Sequence, residues 1–197
     1  MSKLVRKARR RGHPTFTSDK DVTLPAGFSS FRDAPISELV KKKEARSDSC
    51  GSCTLCCKLL GVKELSKPAD TWCDFCNKSG GGPGGCTIYA NRPDSCKEFQ
   101  CGYLINGLPE EYRPDRVKMV ITGTSKEIEA HILHVDPNYP GAYREGNGKR
   151  LIEALLAASS YRNVVLCIGN KRRFFGNNPE KIMARIAQLE REGKIAL

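Results

Sequence analysis

Nine of the ten cysteines in this 197-residue chain fall between residues 50 and 101: Cys50, Cys53, Cys56, Cys57, Cys73, Cys76, Cys86, Cys96 and Cys101. The same stretch has little else to fold with. Nine of the 55 residues from 50 to 104 are Leu, Ile, Val or Phe, about 16%, under the roughly 20% below which charged chains tend to stay open. The run GGGPGG at residues 80–85 adds chain entropy and supplies no side chain larger than proline. Something other than apolar burial has to stabilise this block. A bound structural metal contributes roughly 10–16 kcal/mol of apparent binding free energy, enough to close a segment of this kind.

Thiols at this density serve as disulfide staples, as redox pairs or as metal ligands. The compartment decides among them, because disulfides persist in oxidising spaces and are rare where thiols are kept reduced. The N-terminal MSKLVRKARRRGHP is positive with no apolar segment behind it, and no stretch approaches the ~18 consecutive apolar residues of a membrane span. With 39% hydrophobic and 28% charged residues, the chain reads as a cytoplasmic globular protein, and metal ligation becomes the leading role. Thiolate is a soft donor that suits zinc and iron-sulfur clusters. Cys50-x-x-Cys53, followed after nineteen residues by Cys73-x-x-Cys76, has the paired spacing of a zinc site. It leaves Cys56, Cys57, Cys86, Cys96 and Cys101 over, so the count allows two four-ligand centres or one larger cluster.

Projected on a helix at ~100° per residue, Cys50, Cys53 and Cys57 share an arc of roughly 60°, and Cys56 stands about 100° from Cys57. Three thiols then face one centre, and the fourth faces another centre or another atom of the same cluster. In the second half, CTIYANRPDSCKEFQC at residues 86–101, Pro93 suits the first turn of a helix carrying Cys96, whose N-terminal dipole would favour a thiolate. Arg92 adds positive charge there, and Tyr89 and Phe99 are candidates to shield a metal or simply to pack. Asp70, Asp74, Asp94 and Glu98 read as solvated surface acids.

CGSCTLCC at residues 50–57, WCDFC at 72–76 and CTIYANRPDSCKEFQC at 86–101, in this order, resemble the YkgJ-like CxxCxxCC family of zinc- or iron-chelating cysteine cluster proteins. The resemblance covers roughly residues 50–105, and RPDRVKMVITG from Arg113 is similar to the strand that follows in some members. It implies ligand roles for Cys50, Cys53, Cys56, Cys57, Cys73, Cys86, Cys96 and Cys101, whereas Cys76 matches only part of the family. Relatives include flagellin lysine methylases, but this chain lacks a recognisable S-adenosylmethionine motif.

Around this block the chain divides into a basic, disordered tail (1–33), the cysteine-rich block (34–105) and an α+β unit (106–197). Ile36, Leu39, Val40 and Lys43 have the spacing of a short entry helix. The net charge of +11 is concentrated in the tail: residues 1–12 hold six cations and no acid, suited to weak nucleic-acid or acidic-surface contact. In the last unit, Val117, Met119 and Ile121, then Ile128, Ala130 and Ile132 alternate about a Gly123-Thr124-Ser125 turn, which predicts a hairpin. Leu151, Ile152, Leu155 and Leu156 mark a helix and Val164–Ile168 a buried strand containing Cys167, expected to be a structural thiol. Gly169-Asn170 turns into Lys171–Phe175, and Asn178-Pro179 caps a last helix with Ile182, Met183, Ile186 and Leu189, ended by Gly193.

On a strand, His131 and His134 project to opposite faces and cannot share a metal. The expected fold is α+β, a small metal-stabilised cysteine block packed on a βαβ-containing unit. The expected function is metal binding, of zinc or an iron-sulfur centre. Two alternatives stand beside it: an iron-sulfur enzyme, redox or lysine N-methyltransferase-like, with a pocket near Asp136–Gly148; and a zinc-containing nucleic-acid-binding module using Lys171, Arg172, Arg173 and the basic arm.

Overall fold

A computed structural model describes residues 51–77, 85–125, 127–158 and 161–195. The basic tail, the entry helix expected from Ile36 and the first ligand candidate, Cys50, lie outside the described residues.

A four-stranded sheet organises the C-terminal unit: β1 (Met119–Ser125), β2 (Ala130–Val135), β3 (Asn163–Ile168) and β4 (Lys171–Gly176), in spatial order β1-β2-β3-β4. β1 and β2 are antiparallel, β2 and β3 parallel, β3 and β4 antiparallel. The parallel step needs a crossover, and the helix Gly146–Ala158 supplies it, giving the expected βαβ unit within an α+β fold. The hairpin turn falls later than its glycine suggests. Gly123 lies within β1, where the register slips between Ile121 and Gly123, and the chain reverses at 127–129 with Glu129 left-handed (φ 58°). A glycine in a strand marks a bulge as readily as a turn. Val117 precedes the strand, in the short helix Pro114–Val117.

Period-two alternation splits the apolar residues between the two faces of the sheet. Met119, Ile121, Leu133, Val135, Val164 and Leu166 pack with Leu151, Ile152 and Leu155 of the crossover helix. Ala130, Ile132, Val165, Cys167 and Phe174 pack with Ile182, Ile186 and Leu189 of the last helix, Pro179–Arg191. That helix starts with Pro179 in its first turn, but Asn178 takes a left-handed conformation and makes no side-chain cap. It ends in the two reversed bonds of a Schellman turn, Lys194 N to Leu189 O (2.9 Å) and Gly193 N to Glu190 O (3.1 Å), with Gly193 at φ 68°.

Among its described residues the cysteine block contributes three one-turn α-helices, α1 (Leu55–Leu59), α2 (Asp94–Glu98) and α3 (Gly102–Ile105). Pro114–Val117 is then α4, Gly146–Ala158 α5 and Pro179–Arg191 α6. The block docks on edge strand β1, where Leu55, Leu59, Cys53 and Cys101 close over Val120. The docking is close enough to demand a glycine: a Cβ at Gly102 would stand 2.5 Å from Ile121 Cγ2 and 3.1 Å from Ile121 O. A second tie is the buried ion pair between Lys58 of α1 and Asp136 at the end of β2, at 2.5 Å. Among the described residues no helix is long and apolar enough to cross a membrane.

Candidate metal centre

Four backbone contacts bring distant cysteines together. Cys73 N donates to Cys57 O (3.0 Å), Cys76 N to Cys73 O (3.0 Å), Asn77 N to Gly85 O (2.7 Å) and Thr87 N to Phe75 O (2.9 Å), so that Cys76 and Cys86 pair as an isolated antiparallel bridge. The reversal depends on Gly85 at φ 68°, because a Cβ there would meet Thr54 Cγ2 at 2.6 Å and Asn77 O at 2.9 Å. Thr54 precedes α1 but does not cap it, and its hydroxyl bonds the Cys76 thiol instead.

The thiols follow the backbone. Cys57 is hydrogen-bonded to both Cys56 and Cys76, and Cys96 lies within electrostatic range of Cys57, Cys73 and Cys86. Six cysteines from separate segments therefore share one neighbourhood. The Cys57 thiol is pushed far up, first by its hydrogen bond to Cys56, then by burial and by the charge Cys56 would carry. Cys76 is pushed up to about 11, chiefly by burial and then by Cys57, and burial likewise raises Cys96. Such thiols hold their protons more tightly than isolated ones, and a nearby positive charge would act in the opposite direction. Cys56, Cys57, Cys73, Cys76, Cys86, Cys96 and Cys167 are free thiols. Among the described residues no group of three or more His, Cys, Asp or Glu side chains is arranged so that it could hold a metal ion.

Cys53 and Cys101 stand apart from the six. Both are buried in the apolar cluster with Leu55, Leu59 and Val120, and the Arg113 guanidinium lies within electrostatic range of Cys53. The helical projection of Cys53 with Cys57 is thus corrected. Thr54 has φ −124° and ψ 12°, the helix begins only at Leu55, and 100° per residue does not extend back to Cys53. Cys56 and Cys57 touch each other rather than facing apart, while Cys56 also borders the Cys53–Cys101 cluster. Cys56 is the link between the two groups.

Two charged residues that no motif flagged build this site. Lys67 Nζ donates to three main-chain carbonyls, Lys58 O (3.2 Å), Leu60 O and Pro68 O (3.0 Å), which covers the C-terminal end of α1. Burial lowers its pKa, and Cys73, Cys57, Asp70 and Cys56 act in the opposite direction, so it is the fixed cation facing the thiols. Glu64 accepts from Ser95 N (3.2 Å) and Ser95 Oγ (3.0 Å), capping the start of α2 and setting the turn that carries Cys96. These bonds and one to its own main chain, the largest of them, hold the Glu64 carboxyl below the usual carboxylate range. No sequence signal distinguishes either residue: Lys67 binds main-chain carbonyls, which every residue type supplies, and Glu64 binds Ser95, 31 residues away.

Several expectations need adjustment. Pro93 precedes α2 instead of opening it, and with only five residues the helix does not bring Cys96 below its ordinary pKa. Arg92 stacks on Tyr89, 4.0 Å from the ring centroid, and its Nε is buried without a hydrogen-bond partner. Tyr89 is 44% exposed, whereas Phe99 packs beside Cys53 and Cys101. Asp74, Asp94 and Glu98 are exposed as expected, but Asp70 is half-buried. Burial, then the neighbouring Asp136, raises its pKa.

His131 and His134 take opposite faces of β2, and burial lowers both pKa values, that of His134 to about 4 with help from Arg172. Arg172 is 6% exposed and ion-paired with Glu190, so Lys171, Arg172 and Arg173 do not form one surface cationic stripe. An open cleft of about 600 Å³ lies along Tyr139–Gly148, within the segment where an enzyme pocket was expected. The chain matches no family model, no curated protein and no solved structure.

Proposed function

We propose that this protein binds a metal through its clustered cysteine thiolates, as zinc or as an iron-sulfur centre. The observation that carries the proposal is the convergence of Cys56, Cys57, Cys73, Cys76, Cys86 and Cys96, from four separate segments, in a block with little apolar core. Soft donors at this density, with Lys67 as a fixed counter-charge, suit an anionic metal–thiolate centre. Cys53 and Cys101 form a second pair, with Arg113 within electrostatic range of Cys53. Zinc bound here would supply structural closure, and an iron-sulfur centre would add one-electron exchange.

The motif order shared with the YkgJ-like family supports the same assignment. A reducing compartment would keep such thiols available as ligands, and the cytoplasm is the location that goes with this reading. Anaerobic purification followed by metal analysis and a visible spectrum tests it. Stoichiometric zinc without visible absorption, or iron with acid-labile sulfide and a brown colour, is the expected result. A folded, metal-free protein whose clustered thiols all react freely with a thiol reagent would overturn it.

A further inference from the structure

The cleft along Tyr139–Gly148 contains none of the cysteines, and its wall carries three cations, Arg116, Lys118 and Arg144, against one carboxylate, Glu145. Its volume of about 600 Å³ is that of a small-molecule site. The cations are held in place. Lys118 takes a left-handed turn (φ 59°) between α4 and β1, donates to Asp115 O, and lies 5.1 Å from the centroid of the Tyr139 ring. Arg116 is paired with Glu110 at 2.6 Å, and Arg144 Nε donates to Tyr143 Oη at 3.2 Å.

The opposite wall is backbone. Asp136 N donates to Lys118 O (2.9 Å), and successive turns follow from Tyr139 N to Asp136 O, Ala142 N to Tyr139 O and Arg144 N to Gly141 O. They press the loop so closely on the first turn of α5 that a Cβ at Gly148 would stand 1.9 Å from Ala142 O. Asn147 and Gly148, from that first turn, therefore line the same cleft as the cations. Tyr139, which lines the cleft, is 51% exposed.

We propose that this cleft binds a small phosphorylated ring compound of the nucleotide class. The phosphate would sit among Lys118, Arg144 and Arg116, and the ring would lie against Tyr139. Guanidinium and ammonium donors favour phosphoryl oxygens, and an exposed aromatic side chain favours a flat apolar group. The proposal is independent of metal binding, since no cysteine lines the cleft.

Calorimetric titration of the full chain with ADP, pyrophosphate and adenosine separates the parts. Saturable ADP binding should weaken at least tenfold in Lys118→Gln and in Arg144→Gln. Tyr139→Ala should weaken ADP but leave pyrophosphate unchanged, and Arg173→Gln, outside the cleft, should leave both unchanged. Melting curves establish that each variant is folded before it is titrated. Absence of saturable ADP binding at millimolar concentration would overturn the proposal, as would an equal loss in Arg173→Gln and Arg144→Gln, which would mark diffuse charge attraction. Pyrophosphate binding undiminished in both cleft variants would overturn it as well.

Discussion

Replacing Lys58 by Met tests how the cysteine block is held to the sheet. The ammonium of Lys58 and the carboxylate of Asp136 are 2.5 Å apart, with side chains only 7% and 6% exposed. Methionine keeps the length of the buried stem, so its packing is largely conserved. The loss is electrostatic: a buried carboxylate is left without its cation, facing Asp70, whose own pKa is already raised by burial and by Asp136. Breaking one side of a buried pair costs about 3–5 kcal/mol. With a urea slope of about 2 kcal/mol/M, the midpoint should fall by roughly 1.5–2.5 M.

The double variant Lys58→Met with Asp136→Leu separates charge from contact. It removes both ions and forfeits mainly the bond that Asp136 Oδ1 accepts from Asn138 N (2.9 Å), worth about 1 kcal/mol. It should therefore be more stable than Lys58→Met alone. Urea unfolding followed by circular dichroism at pH 7 reads both. A loss under about 1 kcal/mol in the single variant, or a double variant less stable than the single, would refute the assignment of this pair as a desolvated tie between the two parts.

Gly102→Ala should destabilise by about 1–3 kcal/mol, because the new methyl would stand 2.5 Å from Ile121 Cγ2. Gly123→Ala, where a Cβ meets nothing within 4 Å, should change stability little, and paired thermal melts check the contrast. Asp70 has a raised folded-state pKa, so the native state binds more protons than the unfolded chain above the unfolded value, and its contribution falls as pH rises through that window. Asp70→Asn should thus stabilise the protein at pH 7 and lose that advantage near pH 3, as denaturation at both pH values would show; an equal effect at both would contradict it. A chelator should open residues 50–104 before the C-terminal unit, and hydrogen exchange after verified metal removal should find protection lost there first. An unchanged exchange pattern would count against metal as the stabiliser of the block.

The α+β unit was legible because its signals are local. Alternation over Ile128–Ile132, the apolar run Val164–Ile168 and the 3.6-residue spacing of Ile182, Ile186 and Leu189 each report which face of an element is buried, and the sheet and α6 follow them. The bulge at Gly123 was not legible, since glycine serves a turn or a bulge equally and only the partner strand selects between them. At the thiols, the chain named the donors but not their grouping. Helical projection failed at Cys53 because five residues of helix are too few to carry a phase.

What the amino-acid order determined by itself is the chemistry: an excess of thiols in a stretch too poor in apolar side chains to fold on burial alone. What only the tertiary structure decided is which thiols meet. Cys57 reaches Cys76 through the Gly85 reversal and the Cys73 N to Cys57 O bond, and Cys53 reaches Cys101 across Val120. Lys67 acts on main-chain carbonyls and Glu64 on the amide of Ser95 in another segment, and such backbone contacts leave no trace in the identity of neighbouring residues. They exist only once the chain has closed.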